Sequence, residues 1–182
     1  TFKKIHSALR GVLRRRLGRY VSPSLGLIDS QSVKGTYRGR DRGVDGGKCV
    51  KGRKRHIVTD TQGLILAVKV HPANRHDSKE AFDVLSRLKS EFKRMKTIYA
   101  DGGYRGYLKD IVERELKYTL KITLRKDKSK GFKPLPKRWV VERTFAWFES
   151  SRRLSREYEF HTRHSENMIY LSQINLMVKR LY

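Results

Sequence analysis

The chain has 182 residues, of which 37% are hydrophobic and 10% aromatic, so it has enough apolar side chains to bury one core. Its 43 Lys and Arg residues face only 18 Asp and Glu residues, which gives a formal net charge of +25. This composition excludes a disordered tail. Because each cation laid on a phosphate releases a condensed counterion, the charge favours a nucleic-acid partner over a basic surface kept only for solubility.

Cysteine content and hydropathy limit the cellular compartments in which the protein could work. Cys49 is the only cysteine, which excludes an internal disulfide and a zinc site built from several cysteines, and indicates a reducing environment. No apolar run reaches the length that a membrane span needs, and the start of the chain has no signal-peptide core. These features predict a cytoplasmic protein without a membrane partner.

The beginning of the chain differs in composition from the rest. Up to residue 23, Lys and Arg alternate with apolar residues at a spacing that predicts a basic amphipathic helix. Pro23 ends this segment. Since the chain opens at Thr1, we expect residues 1–23 to be the end of an upstream region and residues 24–182 to form the main domain.

Residues 35–55 are rich in glycine and in basic residues, and poor in apolar ones. Such a segment has much backbone freedom and little surface to bury, so we predict a mobile basic loop. The best candidates for contacts to backbone phosphates lie in it or next to it. They are Lys34, Lys51, Arg53, Lys54 and Arg55.

Hydrophobic periodicity predicts a mixed α/β domain with five strands. Asp77, with Glu80 three residues on, is spaced like the N-cap of the first helix of this domain. The predicted elements are strands at 25–32, 55–60, 64–71, 97–101 and 118–124, helices at 73–92, 105–117, 138–154 and 165–181, and a second basic loop at 125–137.

Three acidic residues are notable for their positions. Asp29 follows an apolar run inside a strand, where an unpaired carboxylate is costly to bury. Asp101 ends a strand and precedes two glycines, which leave room beside its carboxylate for a ligand. Glu142 lies on a helix, one turn after Arg138. Taken singly, these residues could instead be a turn cap, an Asp-Gly turn residue and an ion-pair partner of Arg138.

Taken together, the acids predict a metal site. Two strands of one sheet can bring Asp29 and Asp101 face to face, and a packed helix can lean Glu142 toward them. Converging carboxylates repel unless cations neutralise them, and hard oxygen ligands suit Mg²⁺ or Mn²⁺. Two such ions about 3.5–4 Å apart stabilise the attacking and leaving oxygens of phosphoryl transfer.

Four motifs, in the same order along the chain, resemble bacterial insertion-sequence transposases of the DDE type. They begin at Ile28, Lys51, Tyr99 and Val141, and read IDSQSVK, KGRKRH, YADGGY and VERTFAW. The resemblance covers nearly the whole chain from Leu25 onward.

The resemblance implies a ribonuclease H-like fold, a mixed five-stranded sheet with helices on both faces. It implies that Asp29, Asp101 and Glu142 are the catalytic, metal-binding triad, with two Mg²⁺ or Mn²⁺ ions as cofactors. It further implies cleavage at transposon ends and attack of a 3′-hydroxyl on target DNA. The partners would be transposon-end and target DNA, bound by a homodimer or larger synaptic assembly in a bacterial, nucleoid-associated protein.

The helix that carries Glu142 offers further DNA-binding candidates. Related transposases often have a basic residue seven positions after the acid, but here that position is Glu149, so we assign this role to Arg152 and Arg153, with Arg138 beside the acid. Two tryptophans on this helix could stack on bases. We expect instead that Trp139 fills the core and that Trp147 is the more exposed of the two.

Two other functions stay open at this stage. A non-catalytic DNA-binding remnant of a transposase would explain the charge equally well. A nuclease of the same fold that never joins strands would use the same site, since nicking and strand transfer differ only in the nucleophile.

Overall fold

The computed structural model describes residues 1–123 and 138–182; the predicted basic loop at 125–137 and Leu124 lie outside them. The helices are α1 Phe2–Arg16, α2 Asp77–Lys89, α3 Tyr107–Ile111, α4 Arg138–Glu149 and α5 Thr162–Leu181. The strands are β1 Leu25–Lys34, β2 Gly43–Asp45, β3 Val50–Thr59, β4 Ile65–Pro72, β5 Thr97–Ala100 and β6 Thr119–Ile122. A π-helical turn, Val112–Leu116, continues α3.

The five predicted strands form one mixed sheet in the order β4-β3-β1-β5-β6. β4, β3 and β1 are antiparallel neighbours, whereas β1, β5 and β6 run parallel. The short β2 pairs with the first residues of β3. β1 is therefore the central strand, with an antiparallel neighbour on one side and a parallel one on the other.

Helices cover both faces of the sheet because side chains alternate along each strand. Ile28 and Val58 face a core that is completed by α2, α3 and the π-helical turn. The preceding residues, Leu27 and Ile57, face a second core against α4 and α5. This arrangement confirms the predicted mixed sheet with helices on both faces.

The prediction of a mobile loop at 35–55 is wrong for its second half. β2 and the first half of β3 lie in this segment, and Arg53 and Arg55 are 0% and 1% exposed. We expected too little surface to pack, but the long side chains of these arginines are themselves buried and replace apolar ones.

The two buried arginines join β3 to the connection between α4 and α5. Arg53 donates to the carbonyl oxygens of Glu159 (2.8 Å) and Phe160 (2.7 Å), and Arg55 donates to that of Leu154 (2.7 Å). Glu157, which is 3% exposed, lies 3.5 Å from Arg53 Nη1 and 3.4 Å from Arg55 Nη2. A single carboxylate thus compensates both buried cations.

The predicted helices are present, but two of them bury other residues than the pattern indicates. In α1 the apolar residues Ile5 and Val12 are exposed, whereas Arg10 is buried and donates to the carbonyl of Ile65 (2.9 Å). In α5 the apolar residues Leu171 and Val178 are each 38% exposed, although the hydrophobic periodicity places them on the face expected to be buried, and a different set is buried. That set is Ser165, Ile169, Tyr170, Gln173 and Met177.

The start of α2 also differs from the prediction. His76 is the N-cap, and its ring nitrogen accepts from the Ser78 backbone amide (3.4 Å). Asp77 forms an ion pair with Lys54 (3.1 Å) instead, because β3 brings that cation to the end of the helix. Among the residues described, no helix combines the length and apolarity needed to cross a bilayer.

Glu157→Gln should lower the free energy of unfolding by about 3–5 kcal/mol, because it leaves two buried guanidinium groups without a counter-charge. Chemical denaturation of the purified protein measures this. Glu115→Gln removes an exposed partner of Arg114 and should change stability by less than about 1 kcal/mol. Equal effects of the two substitutions would contradict the proposed role of Glu157.

Candidate active site

Asp29 and Asp101 are brought together by the parallel pairing of β1 and β5. Leu25 pairs with Thr97 and Leu27 with Tyr99, so continuing this register by two residues sets Asp29 opposite Asp101. Neighbouring strands are about 4.8 Å apart. The two carboxylates line one small cleft, as the sequence predicts.

Both aspartates face the side of the sheet that carries α4. Leu27 and Tyr99, two residues before them, pack in the core formed with α4 and α5, and the period of a strand is two. Arg138 and Val141 from the start of α4 complete the cleft. The helix bearing Glu142 therefore lies on the correct face of the sheet.

Local hydrogen bonds hold each aspartate in place. Asp29 Oδ1 accepts from the Ser30 backbone amide, and Asp101 Oδ1 accepts from that of Gly103, both at 2.8 Å. The turn after Asp101 is anchored by Tyr104, whose buried hydroxyl lies 2.8 Å from His56 Nε2 in β3. The position of Asp101 thus depends on the turn that follows it and on the contact of that turn with β3.

Glu142 is linked to the aspartates through a cation. Arg138 Nε lies 3.0 Å from Glu142 Oε1, and Arg138 Nη2 lies 3.5 Å from Asp101 Oδ2. Glu142 is 45% exposed and does not line the cleft itself. The guanidinium group therefore lies between the two aspartates and the glutamate.

Charge repulsion is built into the cleft. The pKa of the Asp29 carboxyl is raised to about 7, first because burial disfavours its charged form and second because the negative charge of Asp101 lies nearby. The Ser30 amide and the cations Arg138 and Lys48 act in the opposite direction. At neutral pH an additional positive charge would therefore stabilise the ionised carboxylates of this site.

Comparison with known proteins assigns the family. A family model described as "Transposase DDE domain" matches residues 21–177, which include all three acids. The chain belongs to this family. In Burkholderia cepacia, the protein assigned as the transposase for insertion sequence element IS402 is 32% identical over 117 residues, 59% of this chain and 54% of that protein. The chain thus spans about half the length of this curated relative.

Two solved structures are similar to this DDE domain at low identity. The catalytic domain of Mos1 mariner transposase has a TM-score of 0.46 and 7% identity, over 98% of this chain and 89% of that one. The Mos1 strand transfer complex has a TM-score of 0.43 and 10% identity, over 99% of this chain and 60% of that one.

The aspartate pair of the DDE domain fits a divalent cation, and Glu142 fits only in part. Two carboxylates line one cleft, and burial raises the pKa of Asp29. A bound Mg²⁺ or Mn²⁺ would offset their negative charge, and carboxylate oxygens are ligands that these ions prefer. Within residues 1–123 and 138–182, no group of three acidic, His or Cys side chains is close enough to hold one ion. Glu142 would have to exchange Arg138 for the metal.

The predicted DNA contacts divide into exposed and buried residues. Lys34, Lys51, Arg152 and Arg153 are exposed, although Arg153 forms an ion pair with Glu159. Arg138 is 33% exposed and lies in the cleft.

The other three predicted contacts are corrections. Arg53, Lys54 and Arg55 are 0%, 7% and 1% exposed, and their cationic groups are bound within the protein. They therefore cannot reach a DNA backbone in this structure. No local pattern indicates this for Arg53 and Arg55, because the carbonyl oxygens that bind them lie about 100 residues away in the chain.

The two tryptophans of α4 also differ from the expectation. Trp139 is 45% exposed, so the expectation that it fills the core is wrong. Since Trp147 is half-buried, the order of exposure is the reverse of the one that we expected.

The sequence prediction missed two cations near the aspartates. Lys48 is exposed and lies close enough to Asp29 to lower its pKa. Arg105 is exposed, and its guanidinium lies against Gly102, where an added Cβ would come within 2.9 Å of Arg105 Nη2. The placement of Arg105 four residues after Asp101, across a glycine turn, is the signal that could have found it.

Asp29→Asn should stabilise the metal-free domain at pH 8 by about 1–3 kcal/mol. The folded carboxyl has a pKa of about 7 against 3.8 in the unfolded chain, so the parent loses stability as the pH rises from about 4 to 7. The advantage of the variant should therefore vanish at pH 4 and be complete above pH 7. Denaturation in EDTA at several pH values measures it.

Asp110→Asn, an exposed aspartate of α3, is the matched control and should change stability by less than about 0.5 kcal/mol. A stability difference for Asp29→Asn that is the same at pH 4 and pH 8 would show that the burial of its charge is not the cause.

Proposed function

We propose that this DDE domain is a metal-dependent DNA transposase that cleaves strands at transposon ends and joins a 3′-hydroxyl to target DNA. The observation that carries the proposal is the side-by-side placement of Asp29 and Asp101, on the face of the sheet that α4 covers. Glu142 lies on that helix, and the guanidinium group of Arg138 lies between it and Asp101.

Asp29, Asp101 and Glu142 would hold Mg²⁺ or Mn²⁺, most simply as two ions. Bound there, the cations would supply a charge that activates the attacking oxygen and stabilises the leaving one. The domain itself fixes the geometry: Ser30 and Gly103 orient the aspartates through their amides. Arg138 neutralises Asp101 and Glu142 in the free protein and is placed to bind the phosphate once it leaves them.

In this proposal the exposed basic residues bind the DNA substrate. Lys34 ends β1, and Lys51 lies in the neighbouring strand β3. Arg152 and Arg153 lie three and four residues after the end of α4. We assign these residues, with Arg138, to the backbone of transposon-end and target DNA. A homodimer or larger assembly on paired ends is part of the same proposal.

One observation favours a second candidate, a DNA-binding remnant without catalysis. Arg138 lies between the acids, so the triad does not converge in the free protein. A remnant would keep this internal cation permanently and bind DNA through the charged surface alone. A nuclease that hydrolyses but does not join would differ only in its products.

Incubating the full-length protein with Mg²⁺ or Mn²⁺ and labelled DNA bearing the ends of its own element should give nicks at those ends. A donor with a free 3′-hydroxyl should give joined products. Asp29→Asn, Asp101→Asn and Glu142→Gln should each lower both activities at least about 100-fold, because each removes a ligand of a charge-stabilising cation. Gel analysis of the products measures both.

Glu149→Gln is the matched control, since Glu149 is an exposed acid on the same helix and, among the described residues, accepts only from Gln31 Nε2 at 3.3 Å. It should retain activity. Nicks without joined products would identify the nuclease, and no metal-dependent product together with normal DNA binding would identify the remnant.

A further inference from the structure

A group of buried polar side chains lies behind the aspartate pair, on the other face of the sheet. Ser30 follows Asp29 in β1 and pairs with His56 of β3. Because side chains alternate along a strand, these two face the core that α2 and α3 complete, where the neighbouring pair, Ile28 and Val58, is apolar. This face of the sheet therefore changes from apolar to polar at the level of the aspartates.

Tyr104 reaches this polar pair from the turn that follows Asp101. Its hydroxyl lies 2.8 Å from His56 Nε2, and the centroids of the two rings are 5.6 Å apart. Ser30, His56 and Tyr104 are all buried. We call these three side chains the polar anchor, because they join the turn after Asp101 to β1 and β3.

The hydrogen bond between Tyr104 and His56 joins two neutral groups. Burial raises the pKa of Tyr104 well above its usual range, and the Ser30 side chain acts in the opposite direction. Burial, together with the nearby His71, lowers the pKa of His56 to about 3. At neutral pH the hydroxyl is thus protonated and the imidazole uncharged, so this bond adds no charge beside the two aspartates.

Two further segments brace the polar anchor. Asp77, the first residue of α2, interacts with the Ser30 side chain and forms an ion pair with Lys54 of β3 (3.1 Å). Lys54 also lies 3.7 Å from Asp45 Oδ2 in β2. These contacts hold the surroundings of Ser30 in place. The strands are therefore the fixed side of the anchor, and the turn after Asp101 is the part that it holds.

Packing alone does not explain why these residues are polar. Burying a hydroxyl and an imidazole is costly unless they are hydrogen-bonded, and apolar side chains could fill the same space without that cost. The turn itself offers little else to hold it, since Gly102 and Gly103 have no side chains. Tyr104 is the first residue after Asp101 that can fix the turn to the core.

From this geometry we infer that the polar anchor fixes the separation of the Asp29 and Asp101 carboxylates and so sets the affinity of the site for a divalent cation. The cation itself rests on the proposed function. The anchor acts on both ligands, since Ser30 adjoins Asp29 and Tyr104 ends the turn that Asp101 begins. Tyr104 and His56 are thus positioning residues, and they act through the aspartates.

Tyr104→Phe tests the inference, because it removes the hydroxyl and keeps the ring. Calorimetric titration with Mn²⁺ should give a dissociation constant about 10- to 100-fold above that of the parent, as for other partners that orient metal ligands. Tyr118→Phe is the matched control. Tyr118 is buried in the same core, and its hydroxyl has no hydrogen-bond partner within the described part of the chain, so this variant should bind Mn²⁺ like the parent.

Substitutions at His56 separate hydrogen bonding from packing. His56→Leu leaves the Tyr104 hydroxyl without its partner and should weaken Mn²⁺ binding as Tyr104→Phe does. His56→Gln keeps a polar group that can bond to the hydroxyl and should restore most of the affinity that His56→Leu loses. When Tyr104→Phe and His56→Leu are combined, the two losses should not add, because both remove the same bond.

The order of the turn can be measured without metal. The Gly103 amide donates to Asp101 Oδ1, so its motion reports the position of that aspartate. In EDTA, the ¹⁵N order parameter of Gly103 should fall from about 0.85, typical of rigid backbone, towards about 0.6 in Tyr104→Phe. It should keep the parent's value in Tyr118→Phe.

An Mn²⁺ affinity and a Gly103 order parameter that are both unchanged in Tyr104→Phe would overturn the inference. So would equal losses in Tyr104→Phe and Tyr118→Phe, which would show a general defect of the core. A parent protein that binds no Mn²⁺ would contradict the proposed function, and the order parameter in EDTA would still decide whether the anchor holds the turn.

Discussion

The parallel pairing of β1 with β5 is the constraint on which the rest of this site depends. Extended by two residues, this register sets Asp29 of β1 opposite Asp101, the residue after β5, and both line the cleft on the side of α4. Two carboxylates at that separation repel, and burial adds to the cost of their charge. The site therefore favours a bound cation, and the pairing of β1 with both β3 and β5 keeps the carboxylates from moving apart.

In the free protein, the positive charge of Arg138 reduces the repulsion between the acids. Its guanidinium contacts Asp101 and Glu142 and so occupies the region where a metal would have to bind. An internal cation of this kind neutralises the acids and fixes their positions, but it would compete with a metal ion for the same carboxylates. In the proposed reaction, a metal held by Asp29, Asp101 and Glu142 would displace Arg138, whose guanidinium could then bind a phosphate.

Much of the fold and the positions of the acids could be predicted from the sequence, because both depend on local patterns. The hydrophobic periodicity of the main elements and the apolar runs before Asp29 and Asp101 are readable without a structure. Arg53 and Arg55 could not be placed, because the chain that buries them lies about 100 residues away, around Glu157. For the same reason the buried faces of α1 and α5 were misjudged: they pack against each other, and charge in α1 reaches the β3–β4 turn.

The basic residues of this DDE domain consequently serve two purposes. Some are structural and internal, such as Arg10 and Arg53, which donate to backbone carbonyls inside the protein. Others, such as Lys51 and Arg152, are exposed and available to a polyanion. Net charge alone overstates the DNA-binding surface, and burial is needed to separate the two groups.

A crystal of the domain grown with Mn²⁺ and measured at the manganese absorption edge tests the central claim most directly. We predict an anomalous peak between Asp29 and Asp101, with carboxylate oxygens of both at about 2.0–2.2 Å, Glu142 turned toward the ion and Arg138 displaced. No peak at the aspartate pair at saturating Mn²⁺, with Arg138 still bound to Asp101 and Glu142, would contradict it.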